Sequence, residues 1–341
     1  MESEIQTYNL GDFSLQRGGV IKNAFIAYKT FGDPKNPLII YPTWYSGDIA
    51  ANEWLIGKDR TLNPEKYFIV IPAMFGNGQS SSPSNTRPEK EYETFGGFPR
   101  ITNWDNIRAQ YELITKHLGL KEAHAVLGWS MGAGQTYQWA VQYPDFVKKI
   151  IPFCGSAKTS LHNIVFLKSL KAALELDPVY DNGHYATKGV KPENGLKAFG
   201  RIYAGWGFTQ TFYRHKMFEW FGFKDLEDFL VNFWEKYFLS KDANNLLCML
   251  DVWIHGDVSD NEMFKGDFVR ALGSIKAEAL VIPGKYDLYF PPEDSEIEVK
   301  NMKNAKLLEF DSHYGHWAGG PPLGEKHKDV DWLDARLREF L

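Results

Sequence analysis

The sequence has little of several things that would assign it quickly. Among 341 residues there are two cysteines, Cys154 and Cys248. Each lies in an apolar run, which reads as a reduced core thiol rather than part of a disulfide framework. No stretch approaches the roughly 18 apolar residues of a membrane-crossing helix. The first residues, Met1-Glu2-Ser3-Glu4-Ile5-Gln6, are polar and acidic, not a basic segment leading into an apolar one. The expectation is a cytoplasmic protein with no membrane partner. A basic excess is missing too: the formal net charge is −5, which argues against nucleic acid, a partner that needs clustered cations. Metal-ligand spacings such as His-Glu-x-x-His or Cys-x-x-Cys are absent and the nine histidines are scattered, so no metal is expected. Gly76-Asn77-Gly78 lacks the following lysine and serine or threonine of a phosphate loop. No cofactor is expected. What remains is chemistry on a small molecule, with a homodimer left open as the assembly.

What the chain does have is material for a large core, with 44% hydrophobic and 24% charged residues. Short apolar runs recur at 37–41, 67–72, 124–127, 149–153, 279–283 and 305–310, separated by longer helical patterns. Nearly continuous apolar strands joined by crossovers imply a mostly parallel sheet covered on both faces, an α/β fold. Between about Ser156 and Ile275 the strand-length runs stop and an aromatic-rich helical pattern replaces them. Because the strand pattern resumes afterwards, the reading is a core (1–155), an inserted helical lid (156–275) and the rest of the core (276–341).

The stretch Gly128-Trp129-Ser130-Met131-Gly132 sits between the apolar run 124–127 and a helical pattern extending to Pro144. A sharp strand-to-helix turn explains its glycines: strained backbone and close neighbouring chain leave no space for a Cβ. It would hold the Ser130 hydroxyl at the carboxyl end of the sheet, where open α/β sheets bind ligands. A serine hydroxyl is a weak nucleophile and needs a base, which in turn needs an acid to orient it, following in the order acid then histidine. Asp287 occupies the loop after the run 279–283, with Asp294 as rival acid. Of the two histidines after the run 305–310, His316 is preferred over His313, because Gly315 allows close backbone approach and small residues follow. For the oxyanion of acyl transfer, Met131 N–H is one expected donor. The loop Tyr41-Pro42-Thr43-Trp44 should supply the other; Pro42 has no N–H, so Thr43 comes first and Trp44 second.

These residues resemble the α/β-hydrolase superfamily, and more narrowly its homoserine O-acetyltransferase-like branch. The narrow likeness rests on Gly128-Trp129-Ser130-Met131-Gly132-Ala133-Gly134-Gln135, Trp139-Ala140, Tyr143-Pro144, Phe98-Pro99-Arg100-Ile101-Thr102 with Asp105 and Ala109-Gln110, Gly78-Gln79-Ser80-Ser81-Ser82-Pro83, and Tyr314-Gly315-His316. It implies a catalytic Ser130, Asp287 and His316. The branch holds both acyltransferases and ester hydrolases. Its homoserine acetyltransferases have an aspartate directly after the catalytic histidine to hold the acceptor's ammonium group; here that position is Trp317. Arg201 and Arg214 are the candidates for the arginine that binds a substrate carboxylate in such enzymes. The expectation is therefore a carboxylic ester hydrolase acting on short acyl, such as acetyl, esters. O-acetyl transfer from acetyl-CoA to an alcohol is the alternative, and a non-catalytic binding protein the third reading. Trp44, Trp129, Trp206 and Trp317 are expected to wall an apolar substrate pocket.

Overall fold

Apolar strands flanked by amphipathic helices have to be buried on both faces, and the chain does this around one sheet. The computed structural model describes residues 3–323 and 328–341. Its eight strands are β1 (Gln6–Ser14), β2 (Val20–Phe31), β3 (Leu38–Ile40), β4 (Phe68–Pro72), β5 (Ala123–Trp129), β6 (Val147–Phe153), β7 (Glu278–Val281) and β8 (Ala305–Leu307). They lie in the order β1-β2-β4-β3-β5-β6-β7-β8. From β4 through β8 every pairing is parallel, while β1–β2 and β2–β4 are antiparallel. The α/β architecture with a mostly parallel sheet is as expected from the sequence.

The antiparallel pair β1–β2 has no counterpart among the apolar runs. On this sheet edge apolar and polar residues mix, as in Ile21-Lys22-Asn23-Ala24, and two register shifts interrupt β1. Period-two patterning blurred by bulges is a weaker signal than a continuous run. The helix after β5, α2 (Met131–Gln142), stops short of Pro144 because the residue before a proline is driven out of the helical region; Tyr143 has φ −131° and ψ 63°. Strand β8 is shorter than the apolar run 305–310, although Leu308 and Phe310 N–H still donate to Val281 and Pro283 carbonyls.

Residues 154–277, between β6 and β7, contain helices and turns and no strand. Their aromatic side chains pack mainly on one another, as in the group Phe208, Phe212, Phe229 and Trp234. Cys154 and Cys248 are buried free thiols. No helix among the described residues is long and apolar enough to cross a membrane, and no cluster of metal-ligating side chains occurs among them.

One buried carboxyl ties the core together. Glu298, on the helix Pro292–Asn301, accepts hydrogen bonds from the Tyr137 hydroxyl of α2 (2.6 Å) and from Ala157 N–H after β6 (2.6 Å). Burial pushes this carboxyl up to about 8. The folded protein therefore keeps a proton that the unfolded chain loses near 4.5, so stability falls as pH rises from that value to about 8. Glu298→Gln keeps an acceptor and gains a fixed donor. Its unfolding midpoint relative to wild type should rise between about pH 5 and about pH 8 in thermal melts. A difference that stays constant across that range would contradict this assignment.

Candidate active site

At the carboxyl end of β5 the chain turns abruptly into α2, and Ser130 at the corner adopts φ 58° and ψ −124°. Such a conformation costs a non-glycine residue on the order of 1–3 kcal/mol and persists only where the surroundings enforce it. Here they do. A Cβ on Gly128 would lie 2.3 Å from the Gly132 carbonyl, and one on Gly155 would lie 2.4 Å from Ala133 Cβ and 2.5 Å from Ser130 O. A Cβ on Gly132 would stand 3.1 Å from Pro42 O. The glycines thus allow β5, α2, the loop after β3 and the loop after β6 to converge on one residue.

The structure brings Ser130, His316 and Asp287 into one buried hydrogen-bonded chain. His316 Nε2 lies 3.0 Å from Ser130 Oγ, and His316 Nδ1 lies 2.7 Å from Asp287 Oδ2. A carboxylate can only accept, so the Nδ1 carries the proton and leaves Nε2 as acceptor for the serine hydroxyl. Asp287 is oriented in turn by Tyr289 N–H (2.8 Å) and Phe290 N–H (3.2 Å) donating to Oδ1. The histidine is braced from three sides. Trp129 stacks against its ring at 5.0 Å and donates Nε1–H to its carbonyl, and the Tyr289 ring meets it edge-on at 4.5 Å. Gly315 has φ +63° and backs onto Thr209, whose hydroxyl donates to His313 O.

The rival residues lie elsewhere. His313 is exposed and stacks on Tyr286. Asp294 sits on the helix Pro292–Asn301, and burial raises its carboxyl above the ordinary range.

The loop after β3 requires one correction. Thr43 N–H donates to Pro72 O (3.2 Å), continuing the sheet ladder, so it is not available to an oxyanion. The Thr43 side chain instead accepts from Met74 N–H, and its carbonyl accepts from Gln135 of α2, which pins the loop beside the serine. Trp44 N–H, the next donor, and Met131 N–H at the start of α2 have no acceptor among the described residues.

A cavity of about 20 Å³ opens beside Ser130, lined by Asn103, Met131, Ala157, Thr159, Trp253 and Phe290 among others. Asn103 Oδ1 and Trp253 Nε1 are buried without a hydrogen-bond partner. None of the four tryptophans singled out from the sequence borders this chamber. Trp129 and Trp44 pack together at 4.7 Å beneath the histidine, and Trp317 is enclosed by Trp129, Phe208, Phe233 and Trp234. Trp206 packs on His162 and Phe166. Aromatic content cannot separate rings that support the site from rings that face it. Phe290, Asn103 and Trp253 were not among the expected pocket residues, although Phe290 lies three residues past Asp287 and Asn103 directly after Thr102. Neither arginine reaches the chamber: Arg201 is paired with Glu227 and Glu235, and Arg214 is exposed.

The chain is similar over nearly its whole length to known proteins. Residues 36–319 match the family model described as alpha/beta hydrolase fold. An ethyl acetate hydrolase of Pseudomonas veronii is 35% identical over 337 residues, covering 98% of this chain and 94% of that protein. The solved structure of the acetyl esterase MekB superposes with a TM-score of 0.92 at 34% identity, covering 99% of this chain and 96% of the other. A homoserine O-acetyltransferase of Methanosalsum zhilinae is 31% identical, over 92% of this chain and 69% of that protein.

The corner's dependence on glycine is open to test. Gly128→Ala should lower the denaturant midpoint by the equivalent of about 1–3 kcal/mol, since the clash is with backbone that cannot swing away. Gly205→Ala, on an exposed helical position with nothing within 4 Å, should be neutral or slightly stabilising. Equal effects from the two changes would contradict the packing account.

Proposed function

Because the chain belongs to the α/β-hydrolase fold family, we propose that it is a carboxylic ester hydrolase that cleaves short acyl esters, acetate esters above all, through an acyl-Ser130 intermediate. The observation that carries this reading is the buried hydrogen-bonded chain from Asp287 through His316 to Ser130 at the strained corner. The ethyl acetate hydrolase and the acetyl esterase, alike over nearly the full length, support the substrate class.

In this mechanism Ser130 Oγ attacks the ester carbonyl carbon as its proton passes to His316 Nε2, and Asp287 stabilises the resulting imidazolium. Met131 and Trp44 N–H donate to the oxyanion. The carbon–oxygen bond to the alcohol then breaks, and His316 returns the proton to the departing oxygen. Water repeats the attack on the acyl carbon with His316 as base, releasing the acid and restoring Ser130. The small chamber, with room for about one water-sized group, suits an acetyl methyl better than a longer chain.

Acyl transfer is the second reading, favoured by the 31% identity to a homoserine O-acetyltransferase. Two features weigh against it. Trp317 fills its position with an indole whose Nε1–H is committed to Pro321 O (2.9 Å), and Arg201 is neutralised by two glutamates.

Ethyl acetate supplied to the purified protein should yield free acetate, and adding homoserine should divert little of the acetyl group. Ser130→Ala and Asp287→Asn should each lower kcat by at least about 10³-fold while the protein stays folded by circular dichroism. Predominant transfer to homoserine from acetyl-CoA, with hydrolysis a slow leak, would overturn the hydrolase reading.

A further inference from the structure

Glu298 is a buried acid that the hydrolytic mechanism leaves unused, and one hydrogen bond connects it to the chamber beside Ser130. It lies on the helix Pro292–Asn301 and is 2% exposed. Oε1 accepts from Ala157 N–H and Oε2 from the Tyr137 hydroxyl, each at 2.6 Å. Ala157 borders the chamber, with Ser156 and Thr159 of the same loop on either side of it. Tyr137 stands on α2, the helix that begins directly after Ser130. A single carboxyl group thus fastens a wall of the chamber to the helix that carries the nucleophile.

The rest of the loop is anchored differently. Gly155 packs against the Ser130 carbonyl, where a Cβ would stand 2.5 Å away. Thr159 N–H donates to Gly256 O (2.8 Å), and its hydroxyl donates to Trp253 O (2.5 Å). Between these anchors Ala157 has two backbone bonds, one from Val258 N–H to its carbonyl (3.1 Å) and one from its own N–H to Glu298. Without the second, a buried N–H would lose its acceptor at a cost of about 1–3 kcal/mol, and the loop would have to move to recover it. The chamber leaves little slack for such a movement. At about 20 Å³ it takes roughly one water-sized group, so a wall displaced by the width of one methyl admits a longer chain.

We propose that Glu298 is a positioning residue for acyl selectivity: by holding Ala157 N–H it fixes the chamber wall beside Ser130 and keeps the space suited to an acetyl methyl closed to longer acyl chains. The proposal rests on the ester-hydrolase reading above. Both hydrogen bonds of Glu298 go to residues outside the triad, so its loss acts on the choice of acyl group and leaves proton transfer between Ser130 and His316 in place.

The test is the ratio of kcat/KM for ethyl acetate to that for ethyl butanoate. In the wild type it should be at least about ten, since one methylene in an apolar pocket is discriminated by roughly 10–200-fold. Glu298→Met keeps the side-chain length and removes both acceptors. It should lower the ratio at least about fivefold, with kcat for ethyl acetate within about threefold of wild type. Glu298→Asp, which withdraws the carboxyl by one methylene, should shift the ratio in the same direction and serves if the methionine variant does not fold. Glu298→Gln still offers Ala157 an acceptor and should stay within about twofold of wild type. Ile26→Ala serves as the control for destabilisation alone: it hollows the core on β2, four strands away from β6 in the sheet, and should keep the wild-type ratio. A ratio is independent of how much folded protein each variant yields. A wild type without preference for acetate, a wild-type ratio in folded Glu298→Met or Glu298→Asp, or an equal fall in Glu298→Gln or Ile26→Ala would overturn the proposal and leave ester hydrolysis standing. Failure of the wild type to cleave either ester would remove both.

Discussion

The backbone of Ser130 is the constraint on which the rest of the site depends. Its φ of 58° is unfavourable for a residue with a Cβ, and nothing in the serine itself supports it. Support comes from convergence. Gly128 and Gly132 let the strand end and the first helical turn touch, Gly155 lets the next crossover press against the Ser130 carbonyl, and the Pro42–Thr43 loop closes over the same helix turn. A local turn of this kind could not survive in isolation. It is held by the parallel order of β3, β5 and β6, which brings three loops to one end of the sheet.

The histidine is held by different means. It arrives on a loop near the end of the chain, and its position depends on the helical segment between β6 and β7. Gly207 and Thr209 lie against Gly315, and Phe208, Phe233 and Trp234 surround Trp317 directly after His316. Packing of this segment and alignment of the imidazole are therefore one problem. Those aromatics touch the histidine loop, although none of them borders the chamber. The same packing fills the position directly after His316 with an indole.

Much of this was legible in the sequence, for identifiable reasons. Continuous apolar runs reveal buried parallel strands, and the glycine-flanked serine between a run and a helical pattern reveals the corner, because both are local patterns. The order serine, acid, histidine then points to two late loops, and Gly315 with the small residues after it favours His316 over His313. Less legible was anything set by register or by side-chain direction. Thr43 looked like a donor until the ladder bond to Pro72 accounted for its N–H. Trp44, Trp129, Trp206 and Trp317 looked like pocket walls, whereas they brace the site or pack away from it, and Trp253, one aromatic among many, lines the chamber. The edge hairpin β1–β2 escaped notice because bulges and a half-exposed face dilute its alternation.

The central claim is that the strained corner makes one serine, and only one, a nucleophile. It is tested most directly by treating the protein with a small alkyl phosphonate ester that mimics the tetrahedral intermediate, followed by intact-mass and peptide analysis. The account predicts a single phosphonyl group per chain, attached at Ser130, and none in His316→Ala on the same timescale. Labelling at another residue, or equal labelling without the histidine, would contradict it.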